Sequence, residues 1–424
     1  MNKCRIGDAC QVGDGAHAKI KRKSNGIIYL TSKNFKKEGI DLTKVDYISE
    51  KDYSKYFRED SKALTMPKVG DIVFSIIGTI GQPYLVEKKD KFGLSSSVAI
   101  LRPDKNKLNP EYLFYWIKSP TVQNTLYSIK GGVAQSYLSL EMIKSLPLVY
   151  ESKDIQNKLT FILSRYDQLI KNNEERIQLL EKMAKLIYDE WFVKFKFPGH
   201  ENIKMVDSEL GKIPDGWEVK GISDVESFNF ISENIKQFGG EKEYFATANI
   251  DVINIIKEGI MYSYKEKPCR AQKQPTIYSV WFARMKDTHK VLGFTESNEF
   301  IANNSILSSG FGGFKSEKDI FPFLYYSINR VYFHKEKDRF ATGATQVSLN
   351  NDGLSKIKIL VPSKEVIESF GDKVLPILNE IFIFQIKNKT LSKTRDLLLP
   401  KLISGQVDIS DLAINVPKVP EVEV

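Results

Sequence analysis

The sequence has few cysteines, few histidines and no long apolar run, and each shortage removes a class of protein. Cys4, Cys10 and Cys269 are too few and too scattered for a disulfide framework, and none belongs to a C-x-x-C pair that holds zinc. That usage fits a reducing compartment. His17, His200, His289 and His334 are dispersed, with no H-E-x-x-H string, so no metal-ligand set is expected. No stretch approaches the roughly 18 uninterrupted apolar residues of a membrane span, and residues 1–15 lack the apolar segment of a signal peptide. A cytoplasmic chain with no membrane association is expected.

Catalytic motifs fail in the same way. Gly310-Phe311-Gly312-Gly313-Phe314-Lys315-Ser316 has the wrong spacing for a G-x-x-x-x-G-K phosphate loop and reads as a turn. Asn109-Pro110-Glu111-Tyr112 is like the N-P-P-Y tetrapeptide of DNA amino-methyltransferases but carries Glu third, and no Gly-rich loop follows a strand to hold a methyl donor. It reads as a helix N-terminus, with Pro in the first turn. Glu241-Lys242-Glu243 imitates part of a nuclease set, but such short strings are common. No catalytic residue and no metal or cofactor of this chain's own is expected.

What the chain does have is size, positive charge and repetition. Its 424 residues, 42% apolar and 27% charged, suffice for two or three domains with separate cores. Lys plus Arg exceed Asp plus Glu by nine, and the pI is near 9.0. A polyanionic partner suits that balance, because phosphate neutralisation releases counterions and supplies sequence-independent affinity.

Residues 113–191 align without gaps on residues 324–402 at a constant offset of 211. Leu113-Phe114-Tyr115 meets Leu324-Tyr325-Tyr326, and Gly132-Val133-Ala134-Gln135 meets Gly343-Ala344-Thr345-Gln346. Within this span apolar residues recur at alternating steps of four and three: Ile155, Leu159, Leu163, Tyr166, Ile170, Asn173, Ile177, Leu180, Ala184, Ile187 and Trp191. Their partners are Val366, Phe370, Val374, Ile377, Ile381, Phe384, Asn388, Leu391, Arg395, Leu398 and Leu402. Each set is a coiled-coil seam. Pro376 and Pro400 should kink or interrupt the second helix, and Arg395 stands at a seam position where the first copy has Ala184. Helices of roughly 35 residues, about 50 Å long, are too long to bury their seams on one small domain, so mutual antiparallel pairing is expected. Such pairing carries the preceding domains to opposite ends of a rod, related by a pseudo-two-fold axis.

Upstream of each helix the text turns strand-like, as at residues 26–31, 71–77 and 96–101, and again at 244–247, 276–282 and 304–307. These read as two α/β (α+β) globular domains. The expected layout is residues 1–150, a spacer helix at 151–198, a second domain at 199–362, and a C-terminal spacer helix and tail at 363–424. The domains match only with gaps: Tyr29-Leu30-Thr31-Ser32-Lys33-Asn34 meets Tyr244-Phe245-Ala246-Thr247-Ala248-Asn249 at an offset of 215. Divergent domains on matched helices suit two readers of different ligands.

Two acid-free basic runs mark candidate phosphate contacts. The first holds Lys19, Lys21, Arg22, Lys23, Lys33, Lys36 and Lys37, with His17, Ser32 and Asn34 as polar base-reading candidates. The second holds Lys267, Arg270, Lys273, Arg284 and Lys286, with Asn249 as the counterpart of Asn34. Gln135 and Gln346 beside flexible glycines are further candidates, because a Gln amide pairs bidentately with adenine. Each run also reads as a solvated face and each Gln loop as a structural turn. Phe114, Tyr115, Tyr325 and Tyr326 lie at helical spacing among apolar residues and read as core.

The order of domain, long helix, variant domain and long helix resembles the specificity subunits of type I restriction-modification enzymes. Several strings resemble that family's: Gly70-Asp71-Ile72-Val73 followed by Ile77-Gly78-Thr79-Ile80-Gly81, Ser97-Val98-Ala99-Ile100-Leu101-Arg102-Pro103, and Ile213-Pro214-Asp215-Gly216-Trp217. A fourth is Arg395-Asp396-Leu397-Leu398-Leu399-Pro400-Lys401-Leu402-Ile403-Ser404-Gly405. The resemblance covers nearly the whole chain, although the first domain starts without the Pro-x-Gly-Trp entry of the second. It implies that each domain is a target-recognition domain binding one half of a bipartite double-stranded DNA site. The helices then fix the spacing and dock two methyltransferase subunits, with room for two restriction/translocase subunits. S-adenosylmethionine, ATP and Mg would belong to those partners. A stand-alone DNA-modifying enzyme and a coiled-coil protein scaffold are the alternative readings.

Overall fold

The computed structural model describes residues 2–36, 39–132, 136–344 and 347–414. Of the residues singled out above, Lys37, Gln135 and Gln346 lie outside the described residues. The chain forms two compact units, Met1–Gln168 with Leu391–Val424, and Leu169–Thr390. The division therefore passes through both long helices, so each unit owns part of each helix.

In the first unit an antiparallel sheet runs in the order Cys10–Asp14, Val98–Pro103, Ile72–Ser75, Pro83–Leu85. A second sheet has the order Asp46–Ile48, Ile27–Leu30, Phe92–Leu94, and its last pair is parallel, with Tyr29 opposite Gly93. The second unit repeats both patterns. Its antiparallel sheet is Asn229–Phe230, Phe311–Lys315, Ser279–Ala283, Val291–Phe294. Its other sheet sets Ile260–Ser263, Glu241–Phe245 and Ser305–Ser308 side by side, with Tyr244 opposite Ile306 in the parallel pair. This sheet gains a strand that has no counterpart among the described residues of the first unit, Ala271–Lys273, added at the open edge of Ser305–Ser308.

The 211-residue offset reappears in the elements. Helix Leu140–Lys144, strand Pro147–Tyr150 and helix Lys153–Phe192 recur as Asn351–Ser355, Lys358–Val361 and Lys364–Ile403, displaced by 211 at both ends. The helix Pro110–Lys118 starts as expected, with Asn109 Oδ1 accepting from the Glu111 N–H at 2.8 Å and capping the first turn.

Both 40-residue helices are continuous. In the second unit Asn173 Nδ2 donates to Asn388 Oδ1 at 2.8 Å, while farther along the central helix Tyr188 and Trp191 each lie 5.8 Å from Phe370. In the first unit Asp167 pairs with Arg395, and Leu159 and Leu163 share a core with Leu399 and Leu402. As the number rises on one helix it falls on the other, so the helices are antiparallel within each unit. Every seam residue is buried or half-buried. A fully buried aliphatic side chain contributes roughly 1.5–3 kcal/mol, so the seams are a large part of what holds each unit together.

Two sequence expectations are corrected. Pro376 and Pro400 do not interrupt the C-terminal helix. Pro376 is exposed, as is Asp372, whose carbonyl loses its helical partner on the solvent side of the helix, while Val374, Leu375 and Leu378 beside it are buried. Residues 311–315 are a strand, Phe311–Lys315, and not a turn. Its glycines make room for large rings, because a Cβ at Gly313 would stand 2.5 Å from the Trp281 ring and one at Gly312 2.8 Å from Phe282.

Candidate nucleic-acid interface

The first basic run is mostly solvent-exposed. Lys19, Lys21, Lys23 and Lys33 are exposed, and their ammonium groups have no ion-pair or hydrogen-bond partner among the described residues; Lys36 is also exposed. Arg22 differs: its Nε donates to Asp46 Oδ2 at 3.1 Å and its guanidinium lies 3.8 Å from the Tyr29 ring centroid. It is a structural cation. His17 is exposed, with Nε2 2.8 Å from Asp14 Oδ2. The Ser32 N–H is held by Ser97 Oγ at 3.0 Å, which ties this segment to the strand Val98–Pro103.

Asn34 is not available to a base. It is buried; its Oδ1 accepts from the Thr31 N–H at 3.0 Å and its Nδ2 donates to the carbonyls of Asp41 and Lys44, both at 3.1 Å. Asn249 repeats the arrangement, accepting from the Ala246 N–H at 2.9 Å and donating to the Glu258 carbonyl at 3.1 Å. The matched string at offset 215 thus preserves a turn-closing amide, which corrects the base-reading assignment of both residues.

The second run is divided by the fold. Lys267 Nζ donates to the Ala271 carbonyl at 2.8 Å and lies 5.2 Å from the Tyr264 ring, while Lys273 Nζ donates to the carbonyls of Ser232 and Glu233. Burial, reinforced by Arg284, holds the Lys273 ammonium below its ordinary pKa. Lys286 is exposed. Arg270 and Arg284 alone of the five line a cleft of about 300 Å³, together with Tyr244, Thr247, Ser308 and Ser348. Sequence reasoning missed these cleft neighbours because the strands that gather them are far apart in the chain.

The family-like strings have structural work to do. Asp71, almost fully buried, accepts from Arg102 Nε at 2.9 Å and Nη2 at 2.7 Å, a bidentate pair linking two of the strings across the first sheet. Trp217 packs 5.0 Å from Phe197 and 5.9 Å from Phe192, and Gly216 before it adopts φ +83°. The loops that carry Gln135 and Gln346 are pinched alike at their bases: Gly131 and Tyr137 exchange backbone hydrogen bonds at 2.9 and 3.0 Å, and Thr342 and Ser348 do so at 3.0 Å. Phe114 is half-buried and Tyr115, Tyr325 and Tyr326 are buried, as core residues should be.

Among the described residues the two sheet domains present surface lysines without a side-chain partner, and no group of three or more His, Cys, Asp or Glu is placed to hold a metal. Residues 1–182 match the type I restriction modification DNA specificity domain. The type I restriction enzyme MjaIX specificity subunit of Methanocaldococcus jannaschii is 27% identical, over 96% of this chain and 94% of its own. The type I restriction enzyme HindI specificity subunit of Haemophilus influenzae is 25% identical, over 80% of this chain and 87% of its own. The fold is shared with the crystal structure of the S subunit of a type I restriction-modification system from M. genitalium, at 15% identity, a TM-score of 0.59 and 95% coverage of both chains. Along most of its length the chain thus resembles type I restriction-modification specificity subunits. No helix among the described residues is long and apolar enough to cross a membrane.

Proposed function

We propose that this chain is the non-catalytic, cytoplasmic recognition subunit of a type I complex, in which each domain reads one half of a bipartite DNA site and the helix pair sets the distance between the halves. The observation that carries this is the exact 211-residue recurrence of the helices beside domains that match only with gaps. Selection has kept two helices in one register while letting two sheet domains drift, as differing half-sites require.

Two methyltransferase subunits dock on the helices, with two restriction/translocase subunits completing the complex, and S-adenosylmethionine, ATP and Mg act on those partners. An exposed apolar stripe on the central helix supports docking: Leu179 (63% exposed), Met183 (52%) and Leu186 (52%) recur on one face. Co-expression with the modification subunits and mapping of methylated adenines tests the reading. Exchanging residues 220–320 for the equivalent part of a relative should change one half of the methylated motif. Changes in both halves would refute independent domains, and a chain that binds partners but no DNA would be a scaffold.

A further inference from the structure

The second unit carries a guanidinium that its own fold leaves without a countercharge. Arg284 follows the strand Ser279–Ala283 and its backbone is fixed on both sides: its N–H donates to the Gly310 carbonyl and its carbonyl accepts from the Leu349 N–H, both at 2.9 Å. Its half-buried side chain lies 5.5 Å from the Phe230 ring, and one Nη2 donates to Asn351 Oδ1 at 2.9 Å. Nε is buried against Gly312 with no partner. No carboxylate among the described residues pairs with this side chain, and burial pulls its pKa below the ordinary arginine value. Withdrawing a cation from water without an anion is costly, so an orphaned guanidinium of this kind calls for an explanation.

Its surroundings supply one. The cleft before Arg284 presents Ser308, Ser309, Ser348 and Thr247, with the exposed Arg270 among its lining residues. In the first unit the residue whose carbonyl receives the corresponding hydrogen bond, from Leu138 N–H at 2.9 Å, is Ile76, which is apolar and buried. Among its described residues that unit also has no equivalent of the strand Ala271–Lys273 that follows Arg270. The two domains, alike in sheet order, therefore part company at this cleft, which is where a ligand-specific difference belongs.

Shape selects the ligand. Base edges lie at the floor of a groove and are met by protruding side chains, whereas phosphates stand out from the duplex and can enter a recess. Arg284 is recessed and held, while Arg270 is exposed and its guanidinium has no partner among the described residues. We propose that a DNA backbone phosphate seats on Arg284 in this cleft as a sequence-independent anchor of the second domain, leaving Arg270 to reach the adjoining groove. This rests on the DNA-recognition reading above.

The test is binding of the full chain to pooled random duplexes across a salt series, comparing the parent with Arg284→Gln and with Ser309→Glu. The second variant puts a carboxylate at an exposed cleft position without touching the core, so it serves if the first does not fold. Each variant should bind all sequences more weakly, with a log K against log salt slope shallower by about 0.9 and half-site preference unchanged. Parent slopes in both variants, or a loss confined to one base position, would overturn the seat. A parent that binds no duplex, yet is thermally stabilised by inorganic phosphate where Arg284→Gln is not, keeps the seat and removes the DNA reading.

Discussion

Arg395 and Asp167 form an ion pair between the two long helices of the first unit, and the residues 211 positions away in the repeat are Ala184 and Leu378, both fully buried in the second unit's core. The hydroxyl of Tyr115 donates to the same Asp167 at 2.6 Å, whereas its repeat counterpart, Tyr326, has a buried hydroxyl with no partner. One copy of the helix pair is thus closed by a polar triad and the other by aliphatic packing.

Removing one member of the triad should cost far more than replacing both charges. Arg395→Ala leaves a partly buried carboxylate unpaired and should destabilise by about 3 kcal/mol. The double change Asp167→Leu with Arg395→Ala copies the second repeat and should recover most of that loss. Chemical denaturation of the three proteins checks it. Equal losses in the single and double variants would show that the pair does not act as a unit.

Stability should be greatest at mildly acid pH, between about 4.5 and 6.5, because a half-buried carboxyl and a buried imidazole in the second unit titrate in opposite senses. Burial pushes the Glu181 carboxyl up to about 7, so the stability tied to its protonated form is lost as pH rises through that value. Burial, with His289 and Lys337 nearby, pushes His334 down to about 3, and both its ring nitrogens lack partners. Its neutral form is favoured, so that stability is complete above the ordinary histidine value of 6.5 and is lost as pH falls toward 3. Glu181→Gln should leave the urea midpoint unchanged below the ordinary carboxyl value of 4.5 and raise it by an amount that grows between 4.5 and about 7 and is constant above. A uniform shift at all pH values would mean that the carboxyl does not titrate in this range.

In the first unit the phosphate contacts should come from the free lysines. Neutralising Lys19, Lys21 and Lys23 together should make the salt slope shallower by up to about 2.7, near 0.9 for each lost contact, with no change in sequence preference. Arg22→Gln should instead lower thermal stability, since Arg22 is held by Asp46 and Tyr29. A slope that moves only with Arg22 would reverse these roles.

The spacing role predicts a ruler. Seven residues added to each long helix, at the level where Asn173 meets Asn388, preserve the heptad register and lengthen the pair by about 10 Å. The preferred gap between half-sites should then grow by roughly three base pairs at 3.4 Å each. Selection from a library of variable spacers reads the outcome, and a preference unchanged from the parent would mean that the helices do not set the distance.

The seams of the two helices were legible in the sequence, though not the helix ends, because a heptad pattern is local and repeats without gaps. Strands such as Ile27–Leu30 and Ile72–Ser75 announced themselves through runs of β-branched and aromatic residues. The strand Phe311–Lys315 did not, since its glycines answer to Trp281 and Phe282, some thirty residues away, and locally they spell a turn. Arg395 looked like a flaw in a seam until Asp167, 228 residues distant, was seen to face it. Asn34 and Asn249 illustrate the converse: a string kept in both domains suggested contact with a ligand, but the amides were kept for their own turns. The cleft around Arg284 depends on five separated segments and could not be read from spacing.

The 211-residue separation of the helices also has a consequence in time. At a synthesis rate of about 5–20 residues per second, roughly 10–40 seconds pass between completion of the first helix at Phe192 and completion of its partner at Ile403. Until then Ile177, Tyr188 and Trp191 lack Phe370 and Val374 to cover them, and Asn173 lacks Asn388. The nascent chain must therefore carry an open apolar seam through much of its translation. The one buried amide pair in that seam then makes a partner docked one heptad out of step lose by leaving two amides unsatisfied, so the wait ends in a single alignment.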